Sequence, residues 1–142
     1  MANRYLAAYL ALLSLELLRA GLFYTGALQA NPVMQILMSP YGYFQGPVLY
    51  LYCRKITLPG RPIPLSARLA IWAVPFAYTC LAWPQVWLRP DIQSAMLGDG
   101  AGLSSFFALW RWLLYVTADG LFALHFFVFL LLSLRLLARH RV

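Results

Sequence analysis

The sequence predicts an all-α fold: an integral membrane bundle of four transmembrane helices with short interfacial helices between them. Three observations carry this. The 142 residues are 63% hydrophobic, 16% aromatic and only 11% charged, whereas a soluble domain holds about 25% charged residues. Apolar runs near the ~20-residue length of a membrane crossing follow one another along the chain. The basic residues fall in alternate connectors between those runs. A chain this apolar has too little polar surface to cover a soluble core. That excludes disorder, a coiled coil, a disulfide-stapled module and a soluble enzyme.

The first run, residues 5–28, follows Arg4. Glu16 and Arg19 interrupt its apolar core, and Leu28-Gln29-Ala30 makes a poor small-x-small cleavage site, so the run reads as a span and not as a signal peptide. Residues 29–40 carry the breakers Asn31-Pro32 and Ser39-Pro40, which predict a short interfacial helix over Val33–Met38. The second span covers 36–56. Its apolar part from Tyr41 is short, so it recruits upstream residues and kinks at Pro40 and Pro47.

A hydrophilic connector over 54–68 holds Arg54, Lys55, Arg61 and Arg68 and is stiffened by Pro59, Pro62 and Pro64. The third span runs over 69–88, with Pro75 and Pro84 inside it and Trp83 and Trp87 at its far end. Residues 89–102 read as a glycine-rich loop. Residues 103–137 exceed one perpendicular crossing at about 1.5 Å per residue. They divide into an interfacial lead-in through Trp110-Arg111-Trp112 and a fourth span over 113–134. The whole chain, 1–142, forms one transmembrane domain.

The net charge is +7. With four spans, one side receives Arg4, the connector's four cations and Arg135, Arg139 and Arg141, while the other receives Arg89 and Arg111. The positive-inside rule then places both termini in the cytoplasm, and the tryptophans mark the outer interface. The expected location is the bacterial inner membrane. Cys53 and Cys80 have neither CxxC nor zinc spacing and are expected to stay unbridged.

The segment from Tyr41 to Arg54 contains Gly46-Pro47-Val48-Leu49-Tyr50-Leu51-Tyr52-Cys53-Arg54. This Gly-Pro-x-Leu-Tyr-x-Tyr-x-Arg pattern resembles the membrane sensor region that precedes the DNA-binding domain in membrane-bound AraC-type transcription regulators. The Asn3-Arg4-Tyr5-Leu6 start, the basic connector and the Arg-rich end of the last span are similar too. The resemblance covers about Asn3 to Arg141. Members of that family usually carry an earlier hydrophobic helix and a helix-turn-helix domain after the basic tail. For these 142 residues the resemblance therefore implies a sensor or docking module without its output domain. It implies signal transduction in transcription regulation, with no direct nucleic-acid binding by this chain. It supplies no catalytic residues.

Ionisable groups inside spans are the first functional candidates, because holding them there requires partners. Glu16 and Arg19, three residues apart, share one face of the first helix. Asp119 and His125 lie in the fourth span. By depth, Arg19 pairs with Asp119 or with Glu16, and Asp119 is the favoured partner. An ion pair that fixes helix packing is the plainer reading, and a proton- or ligand-coupled role the sharper one.

Arg111, Tyr115 and Asp119 form an i, i+4, i+8 stripe. It reads either as a polar track or as an arginine reaching headgroups beside a packed tyrosine. A lone span histidine such as His125 serves helix packing more readily than haem, pigment or metal. Gly42 and Gly46 form a GxxxG pair that suits close helix packing within one chain or between two.

No P-loop, GxSxG, HExxH or histidine cluster is present, so no enzyme activity, cofactor or metal is expected. Three functions compete. The first is a non-enzymatic sensor or docking module that answers to a lipophilic ligand or a partner membrane protein. The second is a small proton-coupled transporter of four helices, superficially resembling the small multidrug resistance family. The third is an accessory subunit of a larger complex. The expected partners are membrane lipid and either a membrane protein or a second copy.

Overall fold

The computed structural model describes residues 2–28 and 30–140; the side chains of Ala2, Ala118 and Asp119 lie outside the described set. The architecture is all-helical, with no strand among the described residues. Helix α1 spans Ala2–Tyr24, α2 Pro32–Met38, α3 Tyr41–Thr57 and α4 Leu65–Ala82. Helix α5 spans Pro90–Leu97, α6 Ser105–Tyr115 and α7 Phe122–His140. A 3₁₀ turn, Trp83–Trp87, extends α4, and a π-helical segment, Val116–Leu121, joins α6 to α7.

Three helical stretches are long and apolar enough to cross a membrane: Asn3–Tyr24, Leu65–Trp87 and Phe122–His140. Their outward faces are apolar, with Leu17, Phe76, Phe127 and Leu131 all more than half exposed. That is the reverse of a soluble surface and suits lipid as the solvent.

Helix α3 is different. It is 17 residues long and the most buried helix, enclosing Gly42, Tyr43, Gln45, Gly46, Pro47, Val48, Leu51 and Cys53. It packs against α1, α7 and α4. Gly42 lies beside Glu16 of α1 and Phe122 of α7, and Gly46 beside Phe129 of α7. Positions 42 and 46 thus meet increasing numbers on α7, so α3 and α7 run parallel. On α4 the order reverses: Tyr43 stacks on Tyr78 and Leu51 clusters with Ile71. Tyr5 of α1 joins that second cluster, which makes α1 antiparallel to α3 as well. The amino end of α1 and the 54–68 connector therefore share one end of the bundle.

Local chemistry explains the boundaries. Asn31 caps α2, its side-chain Oδ1 accepting from the Met34 amide at 3.1 Å with Pro32 in the first turn. The Ser39-Pro40 break separates α2 from α3, so the stretch expected as one span over 36–56 is divided between two helices, and α3 begins at Tyr41. A turn closed by Gly26, at φ +79°, ends the first helix at Tyr24, four residues before the expected 28. Helix α4 starts at Leu65, directly after Pro64, and not at 69.

Two expectations need larger corrections. Residues 89–102 are not simply a loop, because they contain α5, whose Gln93 side chain donates to the carbonyls of Gln85 at 3.0 Å and Val86 at 2.9 Å. The long apolar helix at the carboxyl end starts at Phe122 rather than 113, behind the π segment.

Candidate functional site

Of the expected polar residues, Glu16, Arg19 and Tyr115 line adjoining cavities in the half of the bundle opposite the 54–68 connector. Arg19 Nε donates to Glu16 Oε2 at 2.8 Å, the i, i+3 pair on one face of α1. The Glu16 side chain is 22% exposed and that of Arg19 44%. Glu16 is thus screened by its neighbours while the guanidinium keeps an open side. The favoured alternative partner, Asp119, has its side chain outside the described residues, so the observed pair is the one within α1.

Glu16 approaches α3 because Gly42 has no side chain. A Cβ at that position would sit 3.1 Å from Glu16 Oε1 and 2.9 Å from the Phe122 ring. The GxxxG pair therefore packs inside one chain: Gly42 receives α1 and α7, and Gly46 receives α7.

Two adjoining cavities open around this pair. One, of about 250 Å³, is lined by Glu16, Arg19, Ser39, Gly42, Tyr43, Tyr78 and Phe122. The other, of about 280 Å³, shares Arg19, Ser39 and Tyr78 and extends to Gln35, Gln85 and Tyr115. Together they make a partly polar chamber in an apolar bundle. Its wall is built by the stacked Tyr43 and Tyr78 rings, 4.5 Å between centroids, with Phe122 edge-on to Tyr43 at 5.3 Å.

The Tyr43 hydroxyl donates to the Thr117 carbonyl in the π segment, where i→i+5 bonding disturbs the regular carbonyl ladder. The Thr117 hydroxyl in turn donates to Leu113 O at 2.7 Å. Tyr78 and the π segment are the features that sequence reasoning missed. Gly120, inside the π segment, was the available signal.

Arg111 and Tyr115 do form a pair, with the guanidinium 4.7 Å from the Tyr115 ring centroid. Arg111 also donates to the Gly98 carbonyl. Gly100, at φ +81°, makes room for it, since a Cβ there would lie 3.2 Å from an Arg111 nitrogen. The pair fastens the α5–α6 connection, and Tyr115 also lines the chamber. Trp110 Nε1 donates to Leu81 O at 2.9 Å, tying α6 to α4.

His125 lies elsewhere, buried on α7 between Tyr43 at 5.8 Å and Phe129 at 4.9 Å, ring centroid to centroid. It lines neither cavity. Among the described residues no three His, Cys, Asp or Glu side chains are grouped to hold a metal ion. Cys53 is buried and Cys80 exposed, and both are free thiols.

No known protein family, curated protein or solved structure matches the chain.

Proposed function

We propose that the chain is a non-enzymatic membrane module of four spans, α1, α3, α4 and α7, with both termini cytoplasmic in a bacterial inner membrane. On this reading it detects a lipophilic ligand bearing a polar or anionic head, as the resemblance to the sensor region of AraC-type regulators implies. The observation that carries the proposal is the chamber around Arg19. It offers the open side of the Arg19 guanidinium, whose other side is paired with Glu16, between the Tyr43 and Tyr78 rings, within an exterior of leucine and phenylalanine. An amphiphile entering from the bilayer would exchange headgroup contacts for Arg19 while its tail stayed apolar.

Support for the topology comes from the gathering of Tyr5 with Arg54, Lys55, Arg61 and Arg68 at one end. Helix α3 is short for a ~30 Å hydrocarbon core, and burial between three other helices supports it as an internal span. A proton-coupled transporter is disfavoured, because Glu16 of the first helix already holds Arg19.

The test is native mass spectrometry of the protein extracted in mild detergent, comparing the parent chain with Arg19→Gln. A co-purifying amphiphile that the variant loses supports the proposal. A parent chain that carries no small molecule beyond detergent and bulk lipid refutes it. Reporter fusions after Gly60 and after Gly100 should read cytoplasm and exterior, and the reverse pattern would overturn the topology.

A further inference from the structure

A second cavity system lies at the opposite end of the bundle, and its chemistry is unlike that of the chamber. Arg54, Lys55, Arg61 and Arg68 all line one cavity of about 350 Å³ between the amino end of α1, the last turn of α3 and the start of α4. No carboxylate lines it among the described residues. Its floor is apolar, built by Leu51 and Ile71, both buried, with Trp72 and Tyr5 packed against them.

The position of Arg54 and Lys55 has an ordinary cause, since cations in the last turn of a helix complement its dipole. The convergence of Arg61 and Arg68 on the same space has not. Gly60, at φ +84°, turns the connector, and Pro59, Pro62 and Pro64 stiffen it. Two contacts then hold the fold-back: Arg68 Nε donates to Ile63 O at 3.1 Å, and Arg54 Nη2 to Pro62 O at 3.4 Å. Arg54 Nε is buried without a hydrogen-bond partner.

We propose that this cavity binds a phosphate-bearing anion, with the phosphate seated among the four cations. The apolar floor points to the headgroup of an anionic phospholipid as the source. Like charges brought together without a carboxylate repel one another until an anion neutralises them. A phosphate offers several acceptor oxygens to arginine forks. The volume falls within the range of ligand sites, about 300–1,000 Å³. A lipid's acyl chains would lie along the exposed apolar flank of α4, where Leu65 and Leu69 are 70% and 64% exposed. Basic pockets between helices on the cytoplasmic side are a recognised setting for such headgroups.

The experiment uses the full chain in a mild non-ionic detergent. Thermal unfolding and native mass spectra are recorded with added dioleoyl phosphatidylglycerol, dioleoyl phosphatidylcholine or inorganic phosphate. Phosphatidylglycerol should bind and stabilise more than phosphatidylcholine. The double variant Lys55→Gln/Arg61→Gln removes two cations from the cavity while leaving in place Arg54 and Arg68, whose hydrogen bonds hold the fold-back. At about fivefold per cation near an anionic headgroup, it should weaken phosphatidylglycerol binding about thirtyfold. Lys55→Arg/Arg61→Lys should retain binding, as should Arg135→Gln/Arg139→Gln, which removes equal charge from residues that do not line the cavity.

Stabilisation by phosphatidylglycerol, with little response to inorganic phosphate, assigns the lipid as the source. A comparable response to inorganic phosphate, lost in the same double variant, supports the site and assigns the free anion. Equal binding of the two lipids with no phosphate response overturns the proposal. So does an equal loss of binding in the Arg135/Arg139 variant.

Discussion

Replacing Gly46 by alanine adds one methyl group where α3 meets α7. The new Cβ would lie 3.1 Å from the Phe129 Cβ and 3.4 Å from its Cδ2, whereas carbon atoms pack comfortably at about 3.5–4.0 Å. The two helices must therefore part by about half an ångström. Phe129 cannot swing aside cheaply, because its Cβ is fixed to the α7 backbone and the residue is 7% exposed against Leu51 and Ile71. Overpacking of this kind costs about 1–3 kcal/mol. Against it stands the intrinsic preference of a helix for alanine over glycine, about 1 kcal/mol.

Gly21 supplies the internal control, since it lies in α1 and a methyl group added there would meet nothing within 4 Å. Gly21→Ala carries the intrinsic helix gain without the clash, so the difference between the two variants gives the packing cost together with the strain that a Cβ in front of Pro47 adds. The expected result is that Gly46→Ala unfolds more easily than Gly21→Ala by about 1–3 kcal/mol. The assay is thermal unfolding in one mild detergent, with particle size measured alongside. Equal stability of the two variants would refute the close α3–α7 approach. A loss of dimer with unchanged unfolding would move the glycine contact to an interface between copies.

Three further outcomes follow from the same geometry. Arg19→Leu and Glu16→Leu should each destabilise by about 1–3 kcal/mol, between a surface and a buried pair, and the double variant by less than their sum. Additive losses in that double-mutant cycle would show that the two groups do not interact. Tyr43→Phe should cost about 0.5–1.5 kcal/mol through the lost bond to Thr117, and Tyr43→Leu more, because the Tyr78 stack goes too; a Tyr43→Phe variant as stable as the parent would refute the hydrogen bond. A membrane-permeant maleimide should modify the outward-facing Cys80 before the buried Cys53, which should react only after denaturation. Recovery of fewer than two thiols from denatured, unreduced protein would show a bridge that the structure lacks.

The sequence alone determined the class of solvent, the helical content and most of the breaks. Composition dictates a lipid environment, because so few polar groups cannot coat a soluble fold. Asn31-Pro32 and Ser39-Pro40 bracket α2 because capping and proline chemistry act over a few residues and need no partner. Cysteine spacing spoke for free thiols, and helical spacing brought Glu16 within reach of Arg19.

Tertiary structure decided which faces meet. In a soluble helix the buried stripe is apolar and the exposed stripe polar, so periodicity reveals the partner face. In a membrane both stripes are apolar, and that contrast fades. Helix α3 illustrates the loss: with Gly42, Gln45 and Gly46 it is less apolar than its neighbours, yet it is the one the other helices enclose. Lipid takes the most apolar faces outward and leaves small and polar residues for the interior. The choice of Gly42 and Gly46 for intramolecular packing, the Tyr43–Tyr78 stack, the α5 fold-back held by Gln93 and the joining of Arg54 to Arg61 and Arg68 all depend on residues apart in the chain. Each is set by three-dimensional complementarity, which no local pattern encodes.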